Sequence, residues 1–232
     1  MRSNDFVAGN VDYHDELSPA AWRDGELRTD VRVHLLRAAK FFTAYLEIPG
    51  FEVYDVVLTG SMANYNYTKF SDFDLHVVTR YSDLECDDLA EAFYRAKKSI
   101  WNDAHNITIN GHDVELYVED VDNPPVSSGM YSLLSGTWIK EPEYAKPTVD
   151  DAAINAKVQD LIKQIDVAVA RADDPDDIKR ITDKLRKMRR AGLDTAGEFG
   201  VENLTFKILR NLGYLDRLNK AYHDEQDQDL SL

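Results

Sequence analysis

The chain has 232 residues, 44% of them hydrophobic, and a formal net charge of -15. That length suits one large domain or two small ones with an ordinary core, and the acidity argues against an extended nonspecific nucleic-acid surface, which would rest on Lys and Arg at phosphates. No apolar run approaches the ~20 residues of a membrane span, Met1-Arg2-Ser3-Asn4-Asp5 lacks the apolar core of a signal peptide, and the lone Cys86 excludes an intrachain disulfide, so a cytoplasmic compartment and no membrane partner are expected.

Residues 1–28 read as irregular, with Tyr13, Leu17 and Trp22 available to pack on the domain. Val31, Leu35, Ala38, Phe42 and Leu46 keep helical spacing and predict a helix from Thr29 to Leu46, stopped by Pro49-Gly50. Phe51 to Thr59 reads as a strand, Gly60-Ser61 as a turn, and Asp72 to Thr79 as the next strand. A second helix is expected from Cys86 to about His105, with Leu89, Phe93, Ala96, Ile100 and Trp101 inward. Asn110-Gly111 between two apolar runs predicts a hairpin spanning 107–118. Asn123-Pro124-Pro125 ends that sheet, and a short hairpin is expected around Ser135-Gly136.

Beyond Pro142 and Pro147, which mark a linker, the period is helical throughout. Ile154, Val158, Leu161, Ile165 and Ala168 form one stripe; Ile178, Ile181, Leu185 and Met188 form a second, begun by the capping pair Asp174-Pro175. Leu204, Ile208, Leu212 and Leu215 make a third, interrupted at Gly213, and His223 to Leu232 reads as a frayed acidic tail. The expected fold is α+β: a mixed-sheet domain over residues 1–145 and a helical domain over 146–232.

The chemistry concentrates in Gly60-Ser61 and, after ten intervening residues, Asp72-Phe73-Asp74. Glycine lets the backbone approach a triphosphate closely, and the Ser61 hydroxyl with nearby N–H groups can bond its oxygens. On a strand, Asp72 and Asp74 share a face. Such a pair suits hard divalent cations, and Mg²⁺ typically takes one or two carboxylates together with substrate phosphates. Two-metal transfer of a nucleotide to a hydroxyl is served better by a third carboxylate, and Glu115 supplies one, flanked by core-facing Val114 and Leu116. Asp113 shares its face and is the rival, although its place by the turn suits a hairpin cap. His76 lies on the face of the aspartates and reads as a hydrogen-bonded neighbour. Tyr65, Tyr67 and Lys69 either line a nucleotide pocket or close the loop.

Lys179, Arg180, Lys184, Arg186, Lys187, Arg189 and Arg190 crowd twelve residues that hold one acid, Asp183. The bland reading is a solvated helix face; the sharper one is a clamp for triphosphate or acceptor, with Lys184 and Lys187 as nucleotide-binding candidates.

Gly60-Ser61, Asp72-x-Asp74 and Glu115 resemble the signature of the DNA polymerase beta-like nucleotidyltransferase superfamily. Segments 58–68, 71–76, 111–118 and 202–210 more narrowly resemble small nucleotidyltransferase-domain proteins of phage and bacterial genomes. The resemblance implies a mixed sheet flanked by helices, Mg²⁺ or Mn²⁺, and an NTP donor such as ATP. It places Gly60 and Ser61 on the triphosphate, Asp72 and Asp74 on both metals, and Glu115 on the catalytic one. It does not choose the acceptor, which in the superfamily is an RNA end, another nucleotide, a small molecule or a protein. Two other classes compete: a non-catalytic nucleotide-binding or antitoxin-like partner protein, and a glycosyltransferase whose Asp-x-Asp holds a nucleotide-sugar. The sequence leaves the oligomeric state open.

Overall fold

The structure is a computed structural model that describes residues 5–84, 87–124, 127–144, 147–171 and 175–231. Expectations that rest on Cys86, Pro125 and Asp174 lie outside the described residues. The chain divides into two compact units: Tyr13–Ala145, and Met1–Asp12 together with Lys146–Leu232.

The first unit opens with a small hairpin, β1 (Trp22–Arg23) and β2 (Glu26–Leu27), where an irregular lead was expected. Asp24 and Gly25 both take positive φ at its turn, the backbone of a tight two-residue hairpin. Helix α1 then spans Thr29–Leu46 and buries Val31, Leu35, Ala38, Phe42 and Leu46. Strand β3 (Asp55–Thr59) is shorter than the apolar run suggests and leads through a single 3₁₀ turn, Ser61–Ala63, toward β4 (Phe73–Thr79). Helix α2 (Asp87–Ala104) carries the chain to the hairpin β5 (Thr108–Ile109) and β6 (His112–Asp120). Its turn has Asn110 and Gly111 at positive φ. The hairpin β7 (Met130–Ser132) and β8 (Thr137–Lys140) completes the sheet.

The sheet is mixed, with six strands in the order β5-β6-β4-β3-β7-β8. Strand β4 runs antiparallel to β3 and parallel to β6. A parallel pair needs a crossover of a dozen or more residues, and α2 lies within it. One face of the sheet is the core: Leu58, Phe73, Leu75, Val77, Val114, Leu116 and Val118 cluster there with α1 and α2 residues. Because side chains alternate along a strand, the residues between these point to the other face.

Helix α2 buries Trp101 as expected, but otherwise turns a different stripe to the core. Ala90, Tyr94 and Trp101 face the core, whereas Leu89 is 63% exposed and Ile100 58%. Aromatic anchoring sets the rotation: Trp101 packs on Phe42 and Tyr45, at 5.6 and 5.2 Å between centroids, and Tyr94 on Tyr81 at 5.0 Å. A tyrosine counts as polar in a hydropathy stripe, yet its ring is a large apolar surface.

The second unit contains α3 (Asp151–Ala170), α4 (Pro175–Ala196), a 3₁₀ turn at Gly197–Phe199, α5 (Val201–Asn211) and α6 (Tyr214–Leu230). Asp150 caps α3 by accepting from Ala153 N at 2.9 Å, which satisfies one of the free N–H groups of the first turn. The α3 stripe buries Ile154, Val158, Leu161, Ile165 and Ala168, and meets Ile178, Leu185, Leu204, Ile208 and Leu218. Leu209 is buried in place of the expected Leu212, which is 43% exposed. The expected frayed tail continues as helix to Leu230, with Glu225 buried on it. The N-terminal segment belongs here: Phe6 N donates to Asn155 Oδ1 at 2.7 Å, and Asn211 Nδ2 to Asn10 Oδ1 at 3.1 Å. No described helix is long and apolar enough to cross a membrane.

Candidate active site

The site begins where β3 ends. Gly60 has φ 73° and ψ -160°, a conformation essentially reserved for glycine. A β-carbon there would lie 2.0 Å from Oδ2 of Asp74, so the Gly60 backbone and the Asp74 carboxylate are in close contact. The adjoining 3₁₀ turn is tied down from outside: the Trp22 indole donates to the Met62 carbonyl at 2.7 Å, and Asn64 Nδ2 to Ser128 Oγ at 2.6 Å. The Ser61 hydroxyl donates to Ser71 Oγ at 2.8 Å, and Ser71 Oγ accepts from Thr68 N at 2.9 Å. Buried Ser71 therefore closes the loop between the two motifs. Residue pattern does not single it out; its one signal is its position directly before Asp72.

Register arranges the remaining residues in rows across three strands. Thr59, Asp74 and Glu115 form one row, and Val57, His76 and Tyr117 form the next. Asp72 stands just before β4, two positions from Asp74. The structure thus brings Gly60, Ser61, Asp72, Asp74 and Glu115 to the same end of the sheet, with Asp74 and Glu115 on the face opposite the core. Asp113 lies opposite Thr108 in the hairpin and is exposed, while Glu115 is partly buried as the register partner of Asp74.

At the meeting point of these acids is Tyr117, a residue absent from the expected site. Its hydroxyl donates to Glu115 Oε2 at 2.5 Å. Burial, first, and then the charges of Asp74, Glu115 and Asp72 drive its phenol far above the ordinary tyrosine value, because each disfavours a phenolate. Its ring stacks on His76 at 4.7 Å and 11°, and Lys98 Nζ sits 3.8 Å from its centre. His76 Nδ1 is 3.0 Å from Glu119 Oε1. The available signal was positional: Tyr117 lies two residues beyond Glu115 on the same strand face.

Among the described residues, no group of three or more His, Cys, Asp or Glu is gathered closely enough to hold one metal ion. The donors nonetheless fit a hard divalent cation: they are carboxylates sharing a face, and Mg²⁺ characteristically takes one or two from the protein with water and phosphate completing its shell.

Tyr65 and Tyr67 pack within their own unit. Tyr65 meets Tyr144 edge-on at 5.3 Å and Tyr13 at 6.2 Å, and Tyr67 stacks on His14 at 3.8 Å. Lys69 Nζ lies over the Phe70 ring at 4.8 Å. Lys184 and Lys187 belong to α4, in the helical unit. Lys184 Nζ donates to Gln164 Oε1 of α3 at 2.7 Å, and Lys187 lines an open depression with Arg180, Asp183 and Met188.

No protein-family model matches the chain, and no curated protein matches it. A solved structure described as a STING-associated CdnE c-di-GMP synthase from Capnocytophaga granulosa aligns over 88% of this chain and 84% of its own, at 12% identity and a TM-score of 0.21.

Proposed function

We propose that the protein is a metal-dependent nucleotidyltransferase that moves a nucleoside monophosphate from an NTP to a hydroxyl acceptor and releases pyrophosphate. One observation carries this reading: Asp74 touches the glycine-only turn at Gly60 on one side and is the register partner of Glu115 on the other. A phosphate-approach turn and a row of carboxylates therefore meet at one side chain.

In this reading the 60–63 turn receives the triphosphate, with Gly60 allowing close approach and the Ser61 hydroxyl turning from Ser71 to a phosphate oxygen. Asp72, Asp74 and Glu115 would hold Mg²⁺ or Mn²⁺, which would lower the acceptor's pKa and neutralise the leaving phosphate. The acceptor oxygen bonds to the α-phosphorus, the bond to the bridging oxygen breaks, and the hydroxyl proton passes to a carboxylate of this face or to water. The acceptor class is an RNA end, another nucleotide, a small molecule or a protein.

The test is incubation of the purified chain with each labelled NTP and Mn²⁺, with and without total RNA and cell lysate, followed by mass analysis of labelled products. Transfer that disappears in Asp72→Asn and Asp74→Asn, with circular dichroism unchanged, supports the reading. Absence of NTP binding and of pyrophosphate release with every acceptor, in a folded sample, overturns it.

A further inference from the structure

We propose that Tyr117 is a positioning residue for Glu115: its phenol, braced by the His76 ring and the Lys98 ammonium, fixes one carboxylate oxygen and leaves the other for a divalent cation. This rests on the nucleotidyltransferase reading above and adds to it the residue that orients the third carboxylate.

The geometry is specific. A glutamate has enough torsional freedom that ordering it carries an entropic cost, and β6 alone does not choose among its rotamers. The 2.5 Å bond from the Tyr117 hydroxyl holds Oε2, and Oε1 carries no hydrogen bond from a described residue. The tyrosine is itself held. Its ring lies nearly parallel to His76, at 11°, and His76 is tied to Glu119 at 3.0 Å. Lys98 reaches from α2 to within 3.8 Å of the ring centre, an attraction between the ammonium and the ring face. Asn102, one turn along the same helix, donates to the Leu116 carbonyl at 3.2 Å and accepts from Leu116 N at 3.1 Å. Helix α2 is thereby fastened to β6 between Glu115 and Tyr117. A row of side chains, Glu119–His76–Tyr117–Glu115, connects the far end of the strand pair to the carboxylates. Outer groups of this kind orient ligands, and their loss typically costs 10–100-fold in metal affinity or activity.

The experiment uses the full chain as wild type, Tyr117→Phe, Glu115→Gln and the double variant. Mn²⁺ binding is followed by electron paramagnetic resonance with a non-hydrolysable NTP analogue, and steady-state kinetics are measured in parallel. Tyr117→Phe retains the ring and its stack, so the expected result is a folded protein with KM for NTP within about twofold. Its affinity for one Mn²⁺ falls about 10–100-fold, and added Mn²⁺ recovers part of kcat. The double variant is expected to be no worse than Glu115→Gln, because the phenol acts through that carboxylate. Lys98→Met reports independently if the Phe variant does not fold, with an expected loss of about two- to fivefold. Wild-type Mn²⁺ affinity in Tyr117→Phe, or additive losses in the double variant, overturns the inference while the enzyme reading stands. A wild type that binds no Mn²⁺ beside the analogue overturns both.

Discussion

The Asp74 carboxylate fills the space that any side chain at Gly60 would need: its Oδ2 lies 2.0 Å from the position of a β-carbon there. The φ of 73° at Gly60 adds a second reason for glycine, since a substituted residue would be strained in that backbone whatever the room.

Gly60→Ala is accordingly expected to displace both the turn and Asp74. Unfolding free energy should fall by about 1–3 kcal/mol, and pyrophosphate release should fall at least about 100-fold, since misplacement by about 1 Å alone can cost that much. Thermal melts and a coupled pyrophosphate assay measure the two effects. Wild-type turnover in Gly60→Ala would show that the contact has no part in function.

Glu115 and Asp113 can be separated directly. Glu115 is the register partner of Asp74, whereas Asp113 is exposed opposite Thr108. Glu115→Gln should reduce turnover by about 100-fold or more, the scale of losing a group that stabilises transition-state charge. Asp113→Asn should change it less than about threefold and stability by about 0.5 kcal/mol or less, as for an ordinary surface substitution. The reverse order of effects would move the third carboxylate to Asp113.

Trp22 supports the Gly-Ser turn from behind. Its ring stacks on Trp138 at 4.7 Å, meets Tyr131 edge-on at 5.1 Å, and donates its N–H to the Met62 carbonyl at 2.7 Å. Trp22→Ala should cost about 3–5 kcal/mol through the cavity it leaves and should increase hydrogen exchange at the 60–64 backbone. Denaturant unfolding and exchange mass spectrometry read these out, and a loss under about 1 kcal/mol would contradict the supporting role.

In the helical unit, Lys157 Nζ bonds Glu202 Oε1 at 2.5 Å. This bond, first, and the Glu202 backbone N–H hold the Glu202 carboxyl below its ordinary value. A depressed folded-state pKa gives stability that is present above the unfolded value and lost as pH falls through the folded one. Lys157→Ala should therefore cost about 0.2–1 kcal/mol at neutral pH, a modest figure because both partners are partly solvated. The difference from wild type should shrink as pH drops below about 4. Melts from neutral pH into acid test the sign; a difference that grows in acid would exclude this origin.

Much of the local structure is legible from residue pattern. Helix α1 keeps its expected bounds because Pro49-Gly50 and an uninterrupted apolar stripe are local signals. The Asn110-Gly111 hairpin and the buried α3 stripe are local in the same way. The α2 face is not, because Leu89 and Tyr94 both fit a helical stripe and only the rings of Phe42, Tyr45 and Tyr81 choose between them. The β1–β2 hairpin escapes the pattern although Asp24-Gly25 announces it, since its strands are only two residues each.

The same division holds at the candidate site. Residue types and their alternation are written in the chain: a glycine-serine turn, two aspartates on one face, and a glutamate between core-facing Val114 and Leu116. Pairing is not. That β4 and β6 lie parallel with Asp74 opposite Glu115, and that Tyr117 lands beside His76 and bonds the glutamate, comes from the assembled sheet. So does the closing of Asp74 on Gly60. Alternation is a property of one strand and can be read along it; register is a property of two strands and arises from how their core faces fit.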